Sequence, residues 1–335
     1  MNQDRTVTAT FEAVDQEPRD MVSLVNAPGP LVWLPDGSSF DNTPGDESRL
    51  GVVYRGEDIG STTFDVYNGD LQLRASYEFL GSYSLAGAAL AITDDSQIRD
   101  GLVVGGTSGA KLFYRLRGST SDMLESQELV PRFTSNVPDV AVAPGPGETP
   151  LISTISFEDG LVQQFGYNPT DGQYVVGSDF TVDTEDANGD DFFDVAIPTP
   201  GFAESGNSFA ALTSDGSTGS LYTFAAEGSP GDITIVSDRQ DNVSGVVGEL
   251  PVAFECAGWD SNANSICAIT NNDGSGALVE YRLLSNPGFT ILEEFTAGVR
   301  GVQPDLMRDG DTVMFILPDR TTDSYVIGRV QGGTV

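Results

Sequence analysis

Histidine is absent from the 335 residues, lysine occurs once, at Lys111, and there are only two cysteines and two tryptophans. Each scarcity narrows the chemistry. Without imidazole the commonest general base is missing, and Ser-His-Asp or Cys-His nucleophiles cannot be assembled. With 16 basic against 50 acidic residues, no basic patch is available to displace counterions, which argues against nucleic-acid binding. No run of about 18 apolar residues occurs, so no transmembrane helix is expected. The opening MNQDRTVTATFEAV also lacks the basic and apolar regions of an export signal. Helical periodicity is missing too: no long segment repeats apolar residues at i, i+3, i+4 and i+7.

What is abundant is acid. The formal net charge is -34. In ordinary saline this much like charge strains a compact fold, whereas at molar salt the Debye length falls to roughly 3 Å and the repulsion is screened. The bias, with Asp favoured and Lys nearly eliminated, resembles that of haloarchaeal proteins; an acidic secreted protein is the alternative. Hydrophobic residues make up 39% of the chain, enough for a substantial core without crosslinks.

Many runs of four to eight residues rich in Val, Ile, Leu, Tyr and Phe are separated by Gly- and Asp-rich turns, the mark of an all-β array. The array repeats. An aromatic-bearing strand ending at a turn recurs as TTFDVYNGD, AKLFYRLRGS, LVQQFGYNPTDG, SLYTFAAEGSPG, ALVEYRLLSNPG and, with Ile in place of the aromatic, DSYVIGRVQGG. With Tyr67, Tyr114, Phe165, Tyr222, Tyr281 and Ile327 as landmarks the steps are 47, 51, 57, 59 and 46 residues. Periods of roughly 40 to 50 residues are those of propeller blades.

The expected fold is therefore a six-bladed β-propeller of four-stranded antiparallel blades, one domain over 1–335. Its repeats run approximately 6–70, 71–121, 122–172, 173–231, 232–288 and 289–335, each starting with the outer strand of the preceding blade. The leading strand TVTATFEAV has no predecessor and is expected to complete the last blade beside DSYVIGRV, which leaves no free edge. Small, nearly continuous apolar segments such as GAALAIT and PDVAVAPG are placed innermost, and charged ones such as DMLESQELV outermost.

Cys256 and Cys267 flank the turn-rich AGWDSNANS and are equidistant from its middle. A cross-strand disulfide and a pair of small buried hydrophobes are both open readings. One loop carries recognisable chemistry. TEDANGDDFFDV places Asp186, Asn188, Asp190 and Asp194 at positions 1, 3, 5 and 9, and the carbonyl of Phe192 could supply position 7, a spacing that wraps Ca²⁺. The alternative is an Asx-rich turn held by its own hydrogen bonds. DANGDDFFDVAI resembles the D-x-N-G-D-x-x-x-D-[LV]-x-V signature of FG-GAP or VCBS-type propeller repeats, found in integrin-like heads and bacterial surface proteins. The resemblance is strongest over residues 173–231. It implies a calcium loop entering an inner strand, one metal stapling one blade; the sixth loop position, Gly in that family, is Asp191 here.

No paired acid or nucleophile is marked by sequence context, so no catalytic residue is assigned and a binding protein is expected. Three long loops joining inner to second strands carry an aromatic, Phe40, Phe202 and Trp259, as candidate partner contacts. Asn242-Val-Ser244 is a glycosylation sequon. The expected role is a spike or host-attachment protein on the surface of a virus of halophilic archaea. Its partners would be other virion or surface proteins, in a homo- or hetero-oligomeric spike, and a host glycan or protein receptor. A cellular haloarchaeal adhesion or carbohydrate-binding propeller is one alternative; a carboxylate-dependent glycoside hydrolase or lyase is the other.

Overall fold

A computed structural model describes the backbone of residues 8–13, 30–34, 38–40, 48–56, 58–68, 72–94, 97–119, 124–130, 137, 139–143, 149–155, 161–181, 191–196, 207–214, 219–229, 232–242, 251–258, 264–271, 275–282, 288–296, 305–309, 312–319 and 324–331. Side chains are described chiefly between residues 30 and 177. All the regular structure in these residues is strand. None of the described residues forms a helix long and apolar enough to cross a membrane.

The first strand is β1 (Thr8–Ala13). Sheet I follows with β2 (Leu31–Trp33), β3 (Ser48–Arg55), β4 (Ser61–Asn68) and β5 (Leu73–Leu80). Sheet II holds β6 (Ala86–Asp94), β7 (Gln97–Gly106), β8 (Gly109–Leu116) and β9 (Glu125–Val130), and sheet III β10 (Asp139–Ala143), β11 (Leu151–Ile155), β12 (Leu161–Asn168) and β13 (Gln173–Thr181). Sheet IV is built from β14 (Asp191–Ala196), β15 (Asn207–Ser214), β16 (Gly219–Ser229) and β17 (Asp232–Asn242). Sheet V contains β18 (Pro251–Gly258), β19 (Asn264–Asn271), β20 (Ser275–Arg282) and β21 (Gly288–Thr296). Sheet VI has β22 (Asp305–Asp309), β23 (Thr312–Asp319) and β24 (Ser324–Gln331), with β1 as its fourth strand.

Sheets I to V are antiparallel meanders in chain order, and in sheet VI β22, β23 and β24 are followed by β1, which pairs with β24 from Thr8↔Gln331 to Ala13↔Val326. The first strands of the sheets touch in turn: β2 meets β6, β6 meets β10, β10 meets β14, β14 meets β18, β18 meets β22, and β22 meets β2. The architecture is all-β and propeller-like.

Alternation decides which way each side chain points, since successive residues of a strand face opposite sides. In β4, rich in β-branched and aromatic residues, Phe64 and Val66 join Val32, Val53 and Phe40 in a cluster completed by Leu102, Val104 and Phe113 of sheet II. The other side of sheet I collects Leu31, Leu50, Val52 and Tyr67, with Trp33 and Tyr54 against them. Sheets II and III share a third cluster, including Leu90, Ile92, Val103 and Leu112 from one and Val140, Ile152, Phe165 and Tyr167 from the other. Full burial of each such side chain contributes about 1.5–3 kcal/mol. The outer strand β5 instead alternates exposed and half-buried residues, which fits an edge exposed on one side.

Two glycines are required by geometry. Gly60 closes the β3–β4 turn at φ 80°, where a side chain would be strained. A Cβ on Gly51 would lie 2.4 Å from Cε2 of Phe64, so the bare backbone is what lets that ring seat against β3.

Candidate functional site

The polar groups of interest lie in the seams between sheets. At the I–II seam the carboxylate of Asp100, on β7, is completely buried. Arg117 donates to it twice, from Nη2 to Oδ1 at 2.5 Å and from Nε to Oδ2 at 3.2 Å, and the Ser39 backbone N–H donates to Oδ2 at 2.7 Å. Ser39 belongs to the connection between β2 and β3, so a buried charge of sheet II fixes a loop of sheet I. The next residue, Phe40, accepts a short hydrogen bond on its carbonyl from the Tyr77 hydroxyl. Tyr77 Oη in turn accepts from Nη1 of Arg115 at 3.2 Å.

This geometry corrects one expectation. Phe40 is not a partner contact: its ring is 0% exposed, lies edge-on to Phe64 at 5.4 Å and meets Tyr77 at 6.5 Å. The loop carries the ring inward because Asp100 and Tyr77 hold its backbone.

The other side of sheet I, turned away from sheet II, presents a different arrangement. Asp65 sits in the middle of β4 and is 7% exposed. Tyr54 donates to its Oδ2 at 2.8 Å, and Tyr67 donates to the same oxygen at 3.5 Å. Burial, reinforced by the hydrogen bond to Asp65 and the charge of that carboxylate, pushes the Tyr54 hydroxyl well above the usual phenol range. The second carboxylate oxygen, Oδ1, is buried and has no hydrogen-bond partner. An unsatisfied buried acceptor costs about 1–3 kcal/mol, more when charged. Trp33, Tyr54 and Tyr67 belong to the apolar cluster on this same side. Among the described residues no donor reaches this oxygen, which lies on the side of sheet I that holds the aromatic rings.

Sheet III repeats part of this. Gln164, in the middle of β12, is 2% exposed, and its Nε2 reaches the hydroxyl of fully buried Ser153 at 3.5 Å, while its Oε1 has no partner. Phe165 points toward sheet II, so Gln164 and its register partner Ser153 point the other way, toward sheet IV, whose β14 contacts β11.

The remaining candidates fall as follows. Phe192 and Asp194 lie in β14, with a register irregularity between them, whereas Asp186, Asn188, Asp190, Phe202 and Trp259 lie outside the described residues. Among the described residues no cluster of three or more metal-ligating acids or cysteines occurs. Asn242 ends β17, and Ser244 is outside the described residues. Cys256 and Cys267 are direct register partners across β18 and β19, and Cys267 is disulfide-bonded. The groups that sequence reasoning missed are Asp65 and Gln164. The available signal was a single polar side chain inside an otherwise β-branched and aromatic strand, as in TTFDVYN.

No protein-family model matches the chain, and no curated protein matches it in sequence. Solved structures do share its fold. One is the SapL1 lectin in complex with alpha methyl fucoside, at 11% identity and TM-score 0.55, covering 92% of this chain and 95% of that one. Another is a triple arginine-to-alanine mutant of AofleA from Arthrobotrys oligospora, at 8% identity and TM-score 0.56, covering 97% of this chain and 86% of that one. At these identities the likeness is one of fold.

Proposed function

We propose that this chain is a non-enzymatic, carbohydrate-binding propeller of an extracellular surface, its six sheets forming the blades of a ring closed by β1 on β24. The observation that carries the reading is Asp65: a buried carboxylate with one unpartnered oxygen, on the side of sheet I that gathers Trp33, Tyr54 and Tyr67. Sugars offer hydroxyl donors and apolar C–H faces, and a site for them needs fixed acceptors beside aromatic rings. The fold shared with a lectin holding a methyl fucoside supports the same ligand class, and the total lack of histidine supports binding over turnover. Ligand-observed NMR with neutral methyl glycosides at molar salt tests the proposal. Binding that is lost in Asp65→Ala is expected; a folded protein that binds none of them overturns it.

We place the protein in concentrated brine, on the surface of a cell or a virion, because 50 acidic residues against 16 basic ones repel one another unless screened. Its thermal midpoint should rise steeply between low and molar NaCl; a flat response would argue for an ordinary secreted protein. For the 186–194 loop we propose one Ca²⁺, held by Asp186, Asn188, Asp190, the Phe192 carbonyl and Asp194, the donor set and spacing that suit a hard cation. Asp190→Ala should then lower stability in calcium and change little after chelation, whereas equal losses in both would make the loop a turn.

A further inference from the structure

We infer that Asn242 is an N-glycosylation site, its amide carrying an oligosaccharide at the outer rim of sheet IV. The extracellular placement proposed above is a premise of this assignment; carbohydrate binding is not. Asn242-Val243-Ser244 is the only Asn-X-Ser/Thr triplet in the chain whose middle residue is not Pro. The other such triplet, Asn168-Pro169-Thr170, is disabled twice over. Its central proline excludes it as an acceptor. Its asparagine side chain is also already engaged: Nδ2 donates to Asp171 Oδ2 at 2.8 Å, and Oδ1 accepts from the Thr170 N–H at 2.9 Å. Asn168 thus builds the Asx turn between β12 and β13, which leaves Asn242 as the one competent acceptor.

The fold puts this residue at a rim. Asn242 ends β17, the fourth and outermost strand of sheet IV, where its register partner is Ser220 near the start of β16. Among the described residues no strand of the sheet lies beyond β17, so a bulky group at its end meets no further layer. With 11 residues β17 is also the longest outer strand, against nine in β13 and nine in β21. Its second backbone edge is open, and an open edge of that length is a template for pairing with another chain. A hydrated oligosaccharide at the end of the strand blocks that approach without changing a residue within it.

The disulfide supplies the compartment. Cys256 and Cys267, the chain's two cysteines, are register partners across β18 and β19, the two strands that follow Asn242, and Cys267 is fully buried and bonded. Such bonds form and persist where thiols are oxidised, outside the reducing cytosol, which is also where glycans are transferred to asparagine. In that transfer Nδ2 of Asn242 bonds to C1 of a sugar carried by a lipid phosphate. The C1–O bond to the phosphate breaks, the lipid phosphate leaves with the electron pair, and the amide gives up one proton. Ser244 supplies the hydroxyl that the transferase requires of an acceptor.

One tryptic fragment reports on both marks, because no Lys or Arg lies between Arg239 and Arg282: residues 240–282 hold Asn242 and both cysteines. Non-reducing mass spectrometry of this fragment, from chain purified from the cells or particles that naturally carry it, is the test. The fragment should be lighter than its sequence by two hydrogens for the disulfide and heavier by whole sugar residues, which fragmentation should place on Asn242. S244A should abolish the sugar and S244T should retain it. The sugar-free S244A chain should also self-associate, with a weight-average mass at least twofold above that of the unaltered chain at matched concentration. A bare Asn242 beside an intact disulfide overturns the glycosylation inference and leaves the extracellular placement standing, whereas a bare Asn242 beside two free thiols overturns both. A sugar that persists in S244A removes the triplet as its cause. An S244A chain that associates no more than the unaltered one overturns the shielding of β17 alone.

Discussion

Gln127, on the outer strand of sheet II, brackets the backbone of Tyr174 on the outer strand of sheet III: its Nε2 donates to the Tyr174 carbonyl at 2.5 Å, and its Oε1 accepts from the Tyr174 N–H at 2.9 Å. A side-chain amide here performs the pairing that a neighbouring strand would otherwise supply. The Tyr174 hydroxyl donates to the Pro150 carbonyl at 3.0 Å, just before β11, so one tyrosine links the outer strand of sheet III both to its second strand and to sheet II.

Gln127→Ala should therefore cost about 1–2 kcal/mol, the loss of two hydrogen bonds partly replaced by water at a half-buried position. Urea denaturation at fixed molar salt measures it. Gln127→Glu keeps the acceptor and loses the donor, and should fall between the two.

Phe40→Ala should destabilise by about 3–5 kcal/mol, as expected for emptying a fully buried aromatic site, and leave glycoside affinity unchanged. Titration and denaturation of the same preparation separate the effects. A loss of affinity with full stability would return Phe40 to the binding surface.

Asp100→Ala removes the acceptor of Arg117 and of the Ser39 N–H together. Breaking a buried pair costs about 3–5 kcal/mol, but Arg117 keeps 30% side-chain exposure and can turn to water, so about 2 kcal/mol is expected. Limited proteolysis should accelerate within residues 35–47, where the loop loses its anchor. Asp100→Asn should show a smaller loss.

Alkaline pH should weaken the fold. Burial raises the hydroxyls of Tyr54, Tyr114 and Tyr174 above the unperturbed value, helped by Asp65 at the first, Glu125 at the second and Tyr167 at the third. In the unfolded chain these groups ionise near pH 10 while the folded ones stay protonated, so the unfolded state binds fewer protons and stability falls as pH rises. The contribution is complete below about pH 10 and is lost progressively above it. Denaturation midpoints at pH 8, 10 and 11, with tyrosinate absorbance at 295 nm followed in parallel, check the sign.

Much of the fold could be read from the chain because its determinants are local. Alternation sets which residues of TTFDVYN and LRASYEFL face inward, Gly-bearing turns end the strands, and the recurrence of the aromatic strand fixes four strands per unit. The site was far less readable. Asp65 is one of 50 acidic residues, and what singles it out is an oxygen that packing leaves unpaired. Phe40 was misplaced because its burial depends on Asp100, 61 residues from Ser39, a dependence with no local signature in PDGSSFDNTPGDES. The Cys256–Cys267 register was visible because both residues lie symmetrically about one turn.

Thr8 faces Gln331 across the last sheet. During synthesis β1 is made well before β24, its partner, and must wait for it. Sheet VI is then the step that links biogenesis to completion, since closing so long a loop is slow and entropically costly. Until it closes, β24 keeps a bare edge able to capture the amino-terminal strand of a neighbouring chain. Removing residues up to 13 should accordingly leave β24 as an aggregation-prone acceptor, and a synthetic peptide of residues 6–15 should rescue it in trans.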